Sequence, residues 1–301
     1  MMHRRMSANG RRSPSHKRHC QVACLILILL GVRIVAAGEP LNGPKFGVSG
    51  TFSIVAVDPQ TGVCGAAVAS KYPAVGRVVP YVRADVGAFC TQHWHHPPWG
   101  ERALDLLASG HGPHETLSLL IKQDPRRDKR QLAIIDMAGR AAHRNPSNAD
   151  RSGWYWGAMS GRNYSCQGNT LTGRAVVVAM AAAYEDTRGS LADRLMAALV
   201  AADCVGGDHR GRLAAGIRVA KRGIDGYWLE LQVDKSDDAV RDLLKQYVEL
   251  KHHAKGSWPQ GRPPFQLPCP KRRQPRAPKP IHPSPPPNSD AAPGAAAKGD
   301  R

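Results

Sequence analysis

Residues 51–71 (TFSIVAVDPQTGVCGAAVASK) constrain the fold more than any other stretch. Apolar, largely β-branched residues lie on both sides of Asp58-Pro59-Gln60-Thr61-Gly62, a turn sequence, so the segment predicts a two-stranded antiparallel hairpin. Its second arm is almost all Gly, Ala and Val. Side chains that short let another layer approach the backbone closely.

The rest of the chain extends this pattern. Val78 to Val82 and Val86 to Thr91 predict further short strands. Glu101 to Ser109 and His114 to Gln123 predict leucine-faced helices, separated by Gly110-His111-Gly112-Pro113. Gln131 to Asp136 and Arg140 to His143 predict a second hairpin around Met137-Ala138-Gly139. Arg174 to Tyr184 is apolar on nearly all sides, which predicts a helix buried between layers. Leu191, Leu195, Leu199 and Ala202 mark an amphipathic helix. Leu213 to Ala220 and Tyr227 to Val233 predict strands. A last helix begins at Ser236 with Asp237 and Asp238 in its first turn. Its apolar face is Val240, Leu243, Leu244, Tyr247 and Val248.

Strand pairs alternating with helix pairs imply an α+β protein, with antiparallel sheets and helices packed outside them. A doubly wound fold would alternate single strands with single helices. Neither GxGxxG nor a P-loop pattern is present, so no nucleotide cofactor is expected.

The net charge of +18 would suggest a nucleic-acid partner if it lay on the folded part. It does not. Residues 1–38 carry +7, residues 39–250 only +3, and residues 251–301 carry +8. No specific nucleic-acid binding is therefore expected. Residues 1–37 combine a basic start, an apolar run from Cys20 to Val32 and small residues at Val35 and Ala37. This describes a secretory signal peptide, and hence export to the periplasm or cell exterior. The alternative is a signal anchor, for which the apolar run is short. Residues 38–50 then form a propeptide or linker, and residues 51–253 the folded domain. Residues 254–301 hold 13 of the 24 prolines with KRRQPR and PSPPP, and predict a disordered basic tail able to contact an anionic cell envelope.

Cys64, Cys90, Cys166 and Cys204 lack CxxC spacing, so no zinc site is expected from them. In Gln92-His93-Trp94-His95-His96, His93 and His95 would share one strand face, a geometry open to a metal. A polar, aromatic pocket rim is the favoured reading, and no metal is expected.

The segment TFSIVAVDPQTGVCGAAVASKYPAVGRVVP is similar to the opening of the domain of unknown function 1028 family. The similarity continues through VGAFCTQ (86–92), GERALDLLASG (100–110), RRDKRQLAIIDMAGR (126–140), YSCQGNTL (164–171) and GGDHRGRLAAG (206–216). It spans roughly residues 51–250. Members resemble N-terminal-nucleophile (Ntn) hydrolases, which implies a four-layer α-β-β-α sandwich. It also implies a nucleophile that begins the mature chain and uses its own α-amino group as base. Many relatives begin Met-Thr-Phe-Ser. Here the Thr is internal, so a cut between Gly50 and Thr51 would be needed.

On that reading Thr51 is the nucleophile. Its hydroxyl is a poor nucleophile alone, but an amine of pKa about 8 can take its proton near neutrality. Lys71, at the far end of the hairpin's second strand, returns near Thr51 and would lower that amine's pKa. Ser53 and Ser70 are further hydroxyl partners. Gln167-Gly168-Asn169 is expected in a loop before a helix, where Asn169 could donate its amide to an oxyanion. Gln92, His93 and Gln167 are expected to bind substrate. In Gly206-Gly207-Asp208-His209-Arg210-Gly211, Asp208 and Arg210 would orient a polar substrate or pair with each other.

The function so implied is an exported amidohydrolase acting on a small-molecule or peptide substrate, cell-wall-derived amides among them, and assembled as a homo-oligomer. The alternative is a non-catalytic extracellular binding or structural protein of the same fold. The enzymatic reading requires the Thr51 side chain to lie at a cleft; a side chain pointing into packed interior, far from any cleft, would end it.

Overall fold

The computed structural model describes residues 50–147 and 154–253. The segment expected to be a signal peptide, all but residue 50 of the expected propeptide or linker, and the expected disordered basic tail lie outside the described residues. Ten strands form two antiparallel sheets. The first holds six strands: β1 (Thr51–Asp58), β2 (Val63–Ser70), β7 (Tyr155–Gly161), β8 (Tyr164–Leu171), β9 (Ala214–Ala220) and β10 (Leu229–Val233), in the order β10-β9-β2-β1-β8-β7. The second holds β3 (Pro80–Arg83), β4 (Gly87–His93), β5 (Arg130–Asp136) and β6 (Ala141–Arg144) in sequence order. The predicted hairpin is present, with Thr51 opposite Ser70 and Asp58 opposite Val63.

Three apolar clusters separate four layers. Phe52, Ile54 and Ala56 of β1 face outward onto α4 (Ala175–Asp186), α5 (Leu191–Cys204) and α6 (Ala239–His253). Phe89, Leu132 and Ile134 face the other way, onto α2 (Trp99–Ala108) and α3 (Pro113–Ile121). Between the sheets, Val55, Val57, Ala66 and Val68 meet Ala88, Cys90, Ala133 and Ile135. The order is helix, sheet, sheet, helix: the four-layer α-β-β-α sandwich. The small residues of β2 admit the close approach expected of them. A Cβ added at Gly65 would stand 2.6 Å from Leu195 Cδ1 of α5.

Three local expectations need correction, and one strand comes in addition to those expected. Residues 75–78 form a helical turn, α1 (Val75–Val78), so the strand expected at 78–82 starts only at Pro80, as β3. Residues 155–161 form a strand, β7, that their mixed composition does not announce. Residues 164–171 form β8, a strand paired to both β1 and β7, not a loop. Finally, α4 lies in an outer layer. Val176, Val177, Met180, Ala181 and Tyr184 face inward, while Val178 is exposed. Its alanines supply an apolar outer face that needs no second layer. The helix buried around most of its circumference is α5, between the sheet and its neighbouring helices.

Candidate functional site

Strand alternation puts Thr51 and Ser53 on the same face of β1 as Val55 and Val57, the face turned toward the other sheet. At the Thr51 end the layer between the sheets therefore changes from apolar to polar. Thr51, Ser53, Ser70, Gln92, Gln131, Gln167 and Asn169 are all 0 % exposed there. The residues come from β1, β2, β4, β5 and β8, so both sheets contribute.

Buried amides and hydroxyls must be paired with one another to be tolerated. Here they nearly all are. Gln131 Nε2 donates to the Gly168 carbonyl at 2.8 Å and to Asn145 Oδ1 at 2.8 Å. Its Oε1 accepts from Gln92 Nε2 at 2.7 Å and from Asn169 Nδ2 at 2.8 Å. Gln92 Nε2 also donates to the Thr51 carbonyl at 3.3 Å, and its Oε1 accepts from the Ser53 hydroxyl at 2.6 Å. Gln167 Nε2 donates to Ser53 Oγ at 3.3 Å, leaving Gln167 Oε1 buried with no partner. In this network the backbone carbonyls of Gly168 and Thr51 can only accept, so they dictate the orientation of both glutamines.

The hydroxyls form a second chain. Thr51 Oγ1 donates to Ser70 Oγ at 3.0 Å, and Ser70 Oγ donates to the Gly50 carbonyl at 2.8 Å. The Gly50 N–H donates to Asn169 Oδ1. Residue 50 is thus held at both its N–H and its C=O. Its φ of +83° lies in the left-handed region, which glycine adopts freely. Asp208, 1 % exposed, accepts from the Lys71 backbone N–H at 3.3 Å and pairs with Arg210 at 3.1 Å. The two side chains stand against the Cα of Gly50.

Most of the sequence-derived candidates converge. Thr51, Asn169, Gln92, Gln167, Asp208 and Arg210 all lie in this cluster or against Gly50, and Asp208 and Arg210 do pair. Three candidates are placed differently. The Lys71 side chain is exposed, and Lys71 reaches the cluster only through its backbone. Asn169 presents its oxygen, not its amide, because Gln131 takes the Nδ2. It is therefore an acceptor, and the donor at the Gly50 carbonyl is Ser70. The chain leaves β4 at His93 with a φ of +65°, so His93 and His95 do not share a strand face. His93 instead packs edge-on against Trp156, with ring centroids 4.7 Å apart. Burial, reinforced by Arg130 and His96, lowers the His95 pKa to about 4, so its ring is neutral near pH 7. Among the described residues no group of three or more His, Cys, Asp or Glu is placed to hold a metal.

Gln131 and Ser70 complete the site. In the sequence Gln131 marks only the start of a strand, and its polar side chain on an otherwise apolar strand is the available signal. Thr170, next to Asn169, is β-branched yet has a φ of +49°, and its buried Oγ1 has no partner. Such backbone outliers gather where surrounding structure imposes a geometry. A partly exposed aromatic edge completes the surroundings, where Trp154 stacks on His209 at 3.7 Å. A separate cavity of about 300 Å³, lined by Asp85, Asp136 and Arg140, lies at the hairpin-turn end, away from Thr51.

Cysteine is not available as a nucleophile among Cys64, Cys90 and Cys166. Burial pushes the Cys64 and Cys90 thiols up to about 12, and Cys166 is raised well above its usual value. The reactive thiolate is thereby suppressed. The hydroxyl pair Thr51–Ser70 lies buried beside the Gly50 carbonyl, which accepts from Ser70.

Fold and site together define a four-layer antiparallel sandwich with a neutral amide–hydroxyl cluster at one end of its central layer. Residues 51–243 match the family described as "Family of unknown function (DUF1028)", and the chain belongs to that family. It is similar to the crystal structure of protein SPO2555 from Silicibacter pomeroyi, also assigned to DUF1028. The two share 30 % identity at a TM-score of 0.61, over 67 % of this chain and 87 % of that one. No curated protein matches the chain. The family match begins at Thr51 itself.

Proposed function

We propose that this chain is an exported amidohydrolase of the Ntn type, with Thr51 as nucleophile once the Gly50–Thr51 bond is cut. The observation that carries this reading is the hydroxyl chain Thr51 Oγ1, Ser70 Oγ, Gly50 C=O. One serine both accepts from the attacking hydroxyl and donates to the carbonyl under attack. The Thr51 oxygen bonds to the Gly50 carbonyl carbon and passes its proton toward Ser70. The carbon–nitrogen bond breaks, and the departing Thr51 nitrogen takes up the proton. Water then hydrolyses the resulting ester, releasing a carboxylate at Gly50 and restoring the Thr51 hydroxyl. The freed α-amine, of pKa about 8, would serve as base for later amide substrates. Asp208 and Arg210 would orient a polar substrate beside it, with Gln92, His93 and Gln167 lining the site. Lys71, exposed at its edge, would bias the amine toward its neutral form.

Thr51 points into a packed polar layer and not an open cleft, and it is completely buried while Gly50 stays attached, so the uncut chain lacks the cleft that the catalytic reading requires. That burial is the observation favouring the second reading, a non-catalytic extracellular binding or structural protein. Export rests on the pattern of residues 1–37; no helix among the described residues is long and apolar enough to cross a membrane. Cell-wall-derived amides, envelope contact by the tail and a homo-oligomeric state belong to the same proposal.

Intact mass and N-terminal sequencing of the exported full-length protein separate the readings. A mature chain beginning at Thr51, uncut in Thr51→Ala and cut in Thr51→Ser, is the expected result. An exported protein with the Gly50–Thr51 bond intact overturns the catalytic reading.

A further inference from the structure

The groups around Gly50 describe the acyl half of a substrate. The ester formed when Thr51 Oγ1 takes the Gly50 carbonyl is the same kind of species as the acyl-enzyme formed from any amide substrate. In both, a carbonyl sits on the threonine oxygen, and the atoms beyond it occupy the space where Gly50 now lies. What holds Gly50 is therefore a template for what the site will accept.

Three features of that template are chemical. The Gly50 carbonyl takes a hydrogen bond from Ser70 at 2.8 Å. The Gly50 N–H is received by Asn169 Oδ1, whose direction is imposed by Gln131. An acyl group without an α N–H would leave that buried oxygen unpaired, which costs more than the hydrogen bond itself contributes. The third feature is handedness. An L-configured Cβ at residue 50 would overlap the Arg210 guanidinium and crowd the Asp208 carboxylate. The φ of +83° is also a region that L side chains rarely adopt and that is the mirror image of their preferred one. Arg210 alone could swing aside, but Asp208 is buried and accepts from the Lys71 backbone, and the backbone angle would remain.

We infer that the site selects amides whose acyl part is an N-acylglycyl or N-acyl-D-aminoacyl group, with Asn169 reading the α N–H and the Asp208–Arg210 pair excluding L side chains. This rests on the proposal that Thr51 is an N-terminal nucleophile.

The test uses the full-length protein after export, in two arms. In the first, intact mass follows Gly50→Ala beside the wild type. The wild type should be cut and Gly50→Ala should be cut at least tenfold more slowly. In the second, the mature protein is given p-nitroanilides of N-acetylglycine, N-acetyl-D-alanine, N-acetyl-L-alanine and N-acetylsarcosine. The glycyl and D-alanyl compounds should be turned over, and the L-alanyl and sarcosyl compounds should show at least tenfold lower kcat/KM. Arg210→Ala should narrow the D-to-L difference several-fold. A mature protein that hydrolyses the L-alanyl compound as fast as the D-alanyl compound overturns this inference and leaves the nucleophile standing. So does one that acts on none of the four. A wild type that is never cut at residue 50 overturns the nucleophile, and this inference with it.

Discussion

Gln131 decides which way the Asn169 side chain faces. Its Oε1 takes the Asn169 Nδ2 at 2.8 Å, leaving Asn169 Oδ1 directed at the Gly50 N–H. Gln131 itself cannot turn over, because its Nε2 donates to the Gly168 carbonyl, which has only lone pairs to offer. A single residue on the four-stranded sheet thus sets the polarity of a site on the six-stranded one.

Gln131→Leu keeps the side-chain bulk and removes every hydrogen bond. It strands the Gly168 carbonyl, Asn169 Nδ2 and part of Gln92 Nε2 in a layer with no exposure. A loss of about 3–5 kcal/mol is expected by urea denaturation. In Gln131→Glu, the protonated acid can still donate to Gly168, but the carboxylate would face that carbonyl oxygen. Its folded-state pKa should therefore be raised, and this variant should lose stability as pH rises from about 4 toward neutrality. Urea midpoints at several pH values, compared with the wild type, check the sign.

The hairpin, both leucine-faced helices and the layered α+β class are readable in the sequence because their apolar periodicities match their burial. Residues 164–171 are not. In β8 the buried inner face is Ser165, Gln167 and Asn169, and hydrophobicity alone assigns such residues to loops. Ser165 is met by Ser160 of the neighbouring strand, but Gln167 and Asn169 find their partners in Ser53 of β1 and Gln131 of β5, residues far apart from them in sequence. Asn169 lies in the buried cluster but presents its oxygen where its amide is expected, for the same reason. The orientation of an amide depends on its neighbour, and the neighbour, Gln131, is 38 positions away. The pairing of Thr51 with Ser70, by contrast, follows from the turn alone.

Asp193 ties α6 to α5. Its Oδ2 completes a capping box with Ser190, and its Oδ1 accepts from Tyr247 Oη at 2.8 Å and Lys251 Nζ at 2.6 Å. The carboxylate is 2 % exposed. Asp193→Ala removes the cap and leaves a mostly buried ammonium without its partner, for an expected loss of about 3–5 kcal/mol. Asp193→Asn keeps the shape and part of the cap and should cost less than half as much. Lys251→Met alongside Asp193→Ala should recover part of the loss, measured as the coupling energy in a double-mutant cycle.

Thr170 occupies a φ of +49° with a buried, unpartnered hydroxyl. A β-branched residue there costs roughly 1–2 kcal/mol, a strain that glycine would not carry. Thr170→Gly forfeits a small amount of buried carbon but relieves both penalties. It should change stability by less than about 0.5 kcal/mol, whereas Thr170→Val, which keeps the strain and replaces the hydroxyl, should not gain the backbone relief. Thermal melts of the two variants show whether backbone strain or hydroxyl burial costs the fold more at this position.

His95 should give the protein an acid-sensitive step of its own. Burial first, then the positive charges of Arg130 and His96, lower its folded-state pKa to about 4, against about 6.5 for an exposed imidazole. Between those values the unfolded chain binds a proton that the folded one does not, so the His95 contribution must fall as pH drops from about 6.5 to about 4 and level off below. The step should be on the order of 1–3 kcal/mol. Against the opposing effect of burial, Arg130 and the Arg126 backbone hold the Asp124 carboxyl below its usual value. Asp124 therefore weakens the fold only at more acidic pH as it protonates, and its loss begins where the His95 step ends. His95→Gln should shrink the limb between pH of about 4 and about 6.5, to which His96 and His143, also lowered by burial, still contribute, and leave the more acidic limb in place, with little change at pH of about 8. Urea denaturation of the two proteins across that range makes the comparison; parallel curves through its middle would show that the His95 ring protonates freely in the folded state.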